Sequence, residues 1–376
     1  MIASFIRRVL VQASREWQEF HRDRLSLTLA SLLPILTLLL IGYGLRLELK
    51  NISTSIEDRD NSFASRMVCE KLLATNIFIP ASKGDGQSAE EAVRSNRAQV
   101  AVIIEKGFQK KLDLGEQATI KAMVDGTDIN SALAITSVIN SSSGSLFAKP
   151  RQSIIGEKPQ IVPVSRTWFN PGRKESIFVV TGAFAVILWI FPPILAAIAA
   201  AREVEQETII RVYTSSLSGL EFLLGKGLVY YAIGLIQALS IFALGVLFFG
   251  LRIEGSAILL LIATLLYLQC AIMFGFIPGF KARSQTAAMQ LVSTTGFFPA
   301  LLLSGFVYPI NNIPEPLNIF PYIVPAKYFV DVSRDTFIRG AGWDGAGFAV
   351  SILFVFACLF TFLAWQGVEK MQLRAG

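Results

Sequence analysis

Residues 177–226 read IFVVTGAFAVILWIFPPILAAIAAAREVEQETIIRVYTSSLSGLEFLLGK. The run Ile177–Ala201 carries no charge. Its roughly 25 residues are enough to cross a hydrocarbon core of ~30 Å. At Arg202 the character changes, and Arg202, Glu203, Glu205, Glu207 and Arg211 fall within ten positions. Hydrophobicity resumes at Phe222 and continues to Gly250. Two apolar helices joined by a compact charged elbow, residues 202–226, make a part that receives force or a signal from outside the lipid.

Composition supports a membrane protein. The 376 residues are 53% hydrophobic and 16% charged, against about 25% charged for soluble domains. The net charge of +6 fits a positive-inside membrane protein better than a nucleic-acid binder. Cys270 and Cys358 lie in apolar runs, which leaves Cys69 alone in the polar part and implies no disulfide framework. The single histidine, His21, excludes a His-rich metal site.

Residues 1–24 read as an amphipathic interfacial helix. Ile2, Phe5, Ile6, Val9, Leu10, Ala13, Trp17 and Phe20 recur at helical spacing, with Arg7, Arg8, Arg15, Arg22 and Arg24 on the remainder. Trp17 suits headgroup depth. Residues 25–45 form the first span, kinked at Pro34, whose freed carbonyl a neighbouring helix can satisfy. Further spans are expected at about 228–250, 257–280, 290–308 and 347–366. Gly275 and Gly279 form a small-xxx-small pair suited to close helix contact. Short-loop lysines and arginines favour cytoplasmic termini, so residues 46–176 are expected on the extracytoplasmic side.

That insert alternates strand and helix: strands at 49–57, 76–80, 99–104 and 118–124, helices at 63–74, 88–96, 107–114 and 128–147. The pattern predicts a small α/β domain with a mixed sheet. The fold class is therefore an α-helical membrane protein with six transmembrane helices, an interfacial N-terminal helix and an inserted α/β domain. Between the last two spans, residues 309–340 are apolar but broken by Pro309, Pro314, Pro316, Pro321 and Pro325. They read as outer re-entrant or interfacial helices.

Gly219–Lys226 has the wrong glycine spacing for a phosphate-binding loop, and Gly227 stands where Ser or Thr is needed. No carboxylate pair, Cys/His cluster or nucleophile–base pair stands out, so no catalytic residue, metal or cofactor is assigned. Charge inside the spans reads as nearly absent, which argues against an ion-coupled carrier.

Taken together, the chain resembles the permease subunits of ABC-2-type exporters, in the branch with a large insert between the first two spans. The elbow Arg202-Glu203-Val204-Glu205-Gln206-Glu207-Thr208, with Thr214-Ser215-Ser216-Leu217-Ser218 and Gly225-Lys226, is similar to that family's elbow. Glu207 and Ser216 replace its usual Gly and Pro. The insert's Asp125-Gly126-Thr127-Asp128-Ile129-Asn130 and Trp168-Phe169-Asn170-Pro171 also match. So does Leu303–Ile310, which holds Gly305 and Pro309 and is followed by Pro325 and Arg334.

The resemblance implies a subunit without its own ATPase, working with two ATP-binding subunits that hold ATP and Mg. A second permease, identical or homologous, would complete the complex, and a periplasmic adaptor could dock outside. The elbow would couple to the ATPase through Arg202, Glu203, Glu205, Glu207, Thr208, Ile209, Arg211, Val212, Tyr213 and Thr214. Its glutamates are expected at a helix N-terminus, where the macrodipole favours them. The cargo expected is an amphipathic drug or lipid, exported across the bacterial inner membrane. The competing expectation is a mechanical transmitter that acts on an envelope partner through the insert.

Overall fold

A computed structural model of the chain describes residues 2–44, 52–74, 78–81, 88–95, 97–114, 116, 118–124, 175–206, 217–307, 310 and 313–375. The chain divides into two compact units, one of residues 47–165 and one of residues 1–46 with 166–376.

The smaller unit holds a four-stranded sheet in the order β2-β1-β3-β4. The strands are β1 (Ile52–Asp58), β2 (Phe78–Pro80), β3 (Val100–Ile104) and β4 (Ile120–Val124). β1 runs parallel to β2 and β3, and β4 is antiparallel to β3, which makes the sheet mixed as expected. All five residues of β3 are buried, so its unbroken apolar run marks a strand covered on both faces. Ile52, Val68, Phe78, Val100, Val102 and Phe108 form one core layer, and Ala89, Ala101 and Ile103 the other. Helices α3 (Phe63–Leu73), α4 (Ala89–Arg94) and α5 (Phe108–Asp113) connect the strands. Ser62 and Ser88 cap the first two of these helices. The helix expected at 128–147 lies outside the described residues.

The larger unit begins with α1 (Ile2–Arg22) and α2 (Arg24–Gly44), separated by Asp23 alone. Then come α6 (Glu175–Glu205), α7 (Gly219–Phe249) and α8 (Ala257–Gly279). A fifth span is made of α9 (Gln285–Val292), a π-helical turn at Ser293–Phe297 and α10 (Phe298–Leu303). A 3₁₀ helix (Leu317–Ile323), α11 (Pro325–Arg334), a π-helical turn (Asp335–Arg339) and α12 (Trp343–Ala375) complete it. Among the described residues, six helices are long and apolar enough to cross a membrane.

One of them is the post for the rest. The apolar stretch of α6 is 94% buried, against 22–56% for the other five. Small residues let its neighbours come close. A Cβ on Gly275 would lie 2.2 Å from the Pro193 carbonyl oxygen, and one on Gly279 would lie 2.8 Å from Ala197 Cα. Only glycine permits that approach, so the small-residue pair read in the sequence is a backbone-to-backbone contact between α6 and α8.

The proline kink finds its partner as well. Pro34 lies within α2, and the Gln237 amide of α7 donates to the Ala30 carbonyl at 2.9 Å. Elsewhere in the bundle, α11 packs its buried Phe329 flat on Tyr267, with centroids 4.3 Å apart. Tyr267 stacks in turn on Trp189 and donates its hydroxyl to the Ala185 carbonyl at 2.8 Å. The proline-broken stretch before the last span is thus three short helical pieces, and α11 is built into the bundle.

Three expected boundaries move. α7 starts at Gly219, not near Leu228, because Ser218 and Glu221 form a capping box. The fifth span covers Gln285–Leu303, not 290–308, since Ser284 caps it. The last helix begins at Trp343 rather than 347. The elbow is correspondingly shorter than 202–226, because its flanking helices end at Glu205 and resume at Gly219.

Candidate functional site

The elbow's two flanks meet α1 in a buried ionic brace. Lys226 sits on the second turn of α7 and is 1% exposed. Its ammonium pairs with Glu16 of α1 and, at 3.1 Å, with Glu203 of α6. The other oxygen of Glu16 accepts the Tyr230 hydroxyl at 2.7 Å. Both carboxylates are as buried as the lysine. Taking three charges out of water is tolerable only because each is paired, and removing one partner of such a set costs about 3–5 kcal/mol.

Further pairs continue the brace. Arg202 of α6 pairs with Asp23, in the joint between α1 and α2. Arg8 of α1 reaches Glu221 of α7 at 2.9 Å. Glu205 accepts the Gln285 main-chain and side-chain amides at 3.1 and 3.0 Å, tying the end of α6 to the start of α9. Burial pushes the Asp23 carboxyl up. Hydrogen bonds from Ser26 and Leu25 and the Arg202 guanidinium outweigh that and hold it below its ordinary range.

Two expectations are corrected here. Glu203 and Glu205 lie in the last turn of α6, not at a helix N-terminus. The macrodipole opposes them there, and Lys226 and the Gln285 amides supply the compensation. Charge within the spans is also not nearly absent. Lys226 and Glu221 are embedded in the first turns of a spanning helix, each with an opposite charge against it.

Glu16, Glu19 and Glu203 bring carboxylate oxygens within 4.8 Å of one another, a spacing that could hold a metal ion. The Lys226 ammonium already pairs with two of the three, so a cation position between them is filled by the chain itself.

The remaining sequence candidates are distributed as follows. Arg7, Arg22 and Trp17 are exposed on α1, whereas Arg8 is engaged with buried Glu221. Gly305 takes a positive φ of +79°, and Pro325 opens α11. The Arg334 guanidinium lies over the Phe178 ring at 3.8 Å. Glu207, Thr208, Ile209, Arg211, Val212, Tyr213, Thr214, Asp125, Gly126, Asp128, Asn130 and Pro309 lie outside the described residues. Sequence reading missed Glu16, Asp23, Glu221 and Tyr230 as members of the site, and placed Lys226 only as the end of the elbow motif. A signal for Glu16 existed: it falls in register with Gln12 and Phe20, on the inward face of α1.

Among the described residues, the chain is thus a multi-pass bundle of six apolar helices braced around the short loop between the second and third. The family model for ABC-2 family transporter proteins matches residues 25–365, and the chain belongs to that family. It is similar to the probable multidrug ABC transporter permease YbhS of Escherichia coli (strain K12), with 26% identity over 97% of each chain. The probable multidrug ABC transporter permease YbhR of the same strain is 25% identical over 88% of this chain and 89% of its own. The inner membrane transport permease YhhJ, also of that strain, is 26% identical over 77% of this chain and 78% of its own.

Proposed function

We propose that the chain is the membrane-spanning permease subunit of an ATP-driven exporter, with ATP hydrolysed on a separate partner subunit. The observation that carries this reading is the brace. Lys226 and Glu203 lie on opposite sides of the 206–218 elbow and are locked to each other and to α1. A push on the elbow therefore reaches the second and third spans together. That is what a part driven by an external motor requires. It supports Glu207, Thr208, Ile209, Arg211, Val212, Tyr213 and Thr214 as the residues that meet the ATPase, with Arg202, Glu203 and Glu205 passing the push into the bundle. In this reading two ATP-binding subunits serve a pair of permeases, identical or homologous. Both termini are cytoplasmic, and residues 46–176 lie outside the inner membrane.

The cargo is an amphipathic drug or lipid-like molecule, moved out of the cytoplasm or inner leaflet. The names of the two multidrug relatives support that class. So does an open groove of about 450 Å³ lined by Leu266, Gln269, Phe354, Cys358, Thr361 and Trp365. Its lining is apolar apart from the Gln269–Thr361 hydrogen bond of 3.0 Å. The test is purification from native membranes, followed by dye transport into inverted vesicles. An ATP-binding subunit that co-purifies, is lost with Tyr213→Ala or Glu205→Lys, and is needed for dye uptake is the expected result. A preparation that never retains such a subunit, or transports without it, overturns the reading.

A further inference from the structure

α1 has two working faces. Gln12, Ala13, Glu16 and Phe20 are buried against the bundle. Ile6, Leu10 and Trp17 stand exposed on an adjoining stripe. Arg7, Arg22 and Arg24 are also exposed, and among the described residues none of the three has a carboxylate partner. Arg8, Arg15 and Arg202, by contrast, are each paired. The helix ends one residue before a span of 21 residues, so this surface sits at the edge of the bilayer. An apolar stripe bordered by unpaired guanidinium groups is complementary to hydrocarbon below and phosphate oxygens above. A net positive field selects for anionic lipid over zwitterionic lipid.

We infer that α1 is a docking face for acidic phospholipid, and that the Glu16–Lys226–Glu203 brace passes this attachment to the elbow. The link is mechanical. The ammonium cannot leave either carboxylate without stranding a buried charge. α1, the last turn of α6 and the first turns of α7 therefore shift as one body. Both ends of the elbow, at Gln206 and Leu217, spring from that body. The depth at which acidic headgroups hold α1 then sets the height at which the elbow is presented. This deepens the coupling role proposed above and rests on it, but its test needs no ATP-binding subunit.

The experiment uses the full-length protein with Cys69, Cys270 and Cys358 replaced by alanine and a single Ser215→Cys in the elbow. The protein is placed in nanodiscs of phosphatidylcholine, alone or mixed with phosphatidylglycerol. The labelling rate by a charged, water-soluble maleimide reports elbow presentation, and native mass spectrometry reports retained phosphatidylglycerol. Phosphatidylglycerol is expected to change the labelling rate by about fivefold or more. Arg7→Gln/Arg22→Gln/Arg24→Gln is expected to lose both the retained lipid and the change in rate. Lys226→Met is expected to retain the lipid but lose the change. Glu16→Gln, which is isosteric and keeps its Tyr230 partner, carries the same expectation should Lys226→Met fail to fold. A labelling rate indifferent to phosphatidylglycerol overturns the inference, as does a response that survives the triple arginine change. A lipid response in a protein that never binds an ATP-binding subunit would sustain the docking while sinking the exporter reading.

Discussion

Gln237 of α7 donates to the main-chain carbonyl of Ala30, the carbonyl that Pro34 of α2 leaves without its helical N–H. A helix-breaking residue on one span and an amide on another thus form a single unit. Inside a bilayer no water can take the place of the amide.

Replacing Gln237 with leucine should lower stability by about 0.6–2 kcal/mol, the range found for interhelical hydrogen bonds in membranes. Pro34→Ala restores an N–H at position 34 and should recover much of that loss. The double-mutant cycle, followed by thermal unfolding in detergent, checks this. Strictly additive effects would show that the two residues act apart.

Lys226→Met leaves Glu16 and Glu203 facing each other in a buried site, and should cost about 3–5 kcal/mol. Adding Glu16→Gln and Glu203→Gln removes the stranded charges and should return most of the folded yield. Size-exclusion profiles and melting temperatures of the single and triple variants decide the matter. A single variant as stable as the wild type would mean the brace is not closed in solution.

Gly275→Ala places a methyl group 2.2 Å from the Pro193 carbonyl oxygen, so α8 must move off α6. Overpacking of this kind costs about 1–3 kcal/mol. Gly367→Ala meets nothing within 4 Å and serves as the control. It should melt within a degree or so of the wild type or slightly above, as helix propensity favours alanine.

The Asp23–Arg202 pair makes the joint of α1 sensitive to acid. The Asp23 carboxyl is held below its ordinary value in the folded protein. Its contribution is complete above the unfolded pKa of about 4 and is lost as pH falls through the lower, folded value. Melting temperature followed downward from pH 6 should drop more steeply for the wild type than for Asp23→Asn below about pH 4. Parallel curves would remove Asp23 from the account.

Much of this architecture was legible in the residues. The β-branched run Gln99–Ile104 announced a strand, the apolar register of residues 2–20 announced α1, and Gly275 and Gly279 announced a close helix contact. The brace was not legible, for a physical reason. Along a chain, Glu221 and Lys226 read as the polar edge of a loop, because charge ends a hydrophobic run. In the fold, each is cancelled by a group from another helix, and Lys226 meets Glu16 across 210 positions of sequence. A charge is forbidden in a spanning helix only while it is alone. The capping box at Ser218 was the local hint that the helix starts early, since Ser-x-x-Glu before an apolar run is a start signal.

The near-complete enclosure of α6 has a consequence for biogenesis. This helix leaves the ribosome before the glycines that its backbone packs against, since Gly275 and Gly279 both follow it. Until they arrive, a groove shaped to another backbone faces lipid tails that cannot fill it. A chain truncated after Gly250 should therefore insert but persist only briefly before membrane quality-control proteases remove it. Pulse-chase half-lives of that truncation and the full chain would measure how long the unfinished protein depends on its own last third.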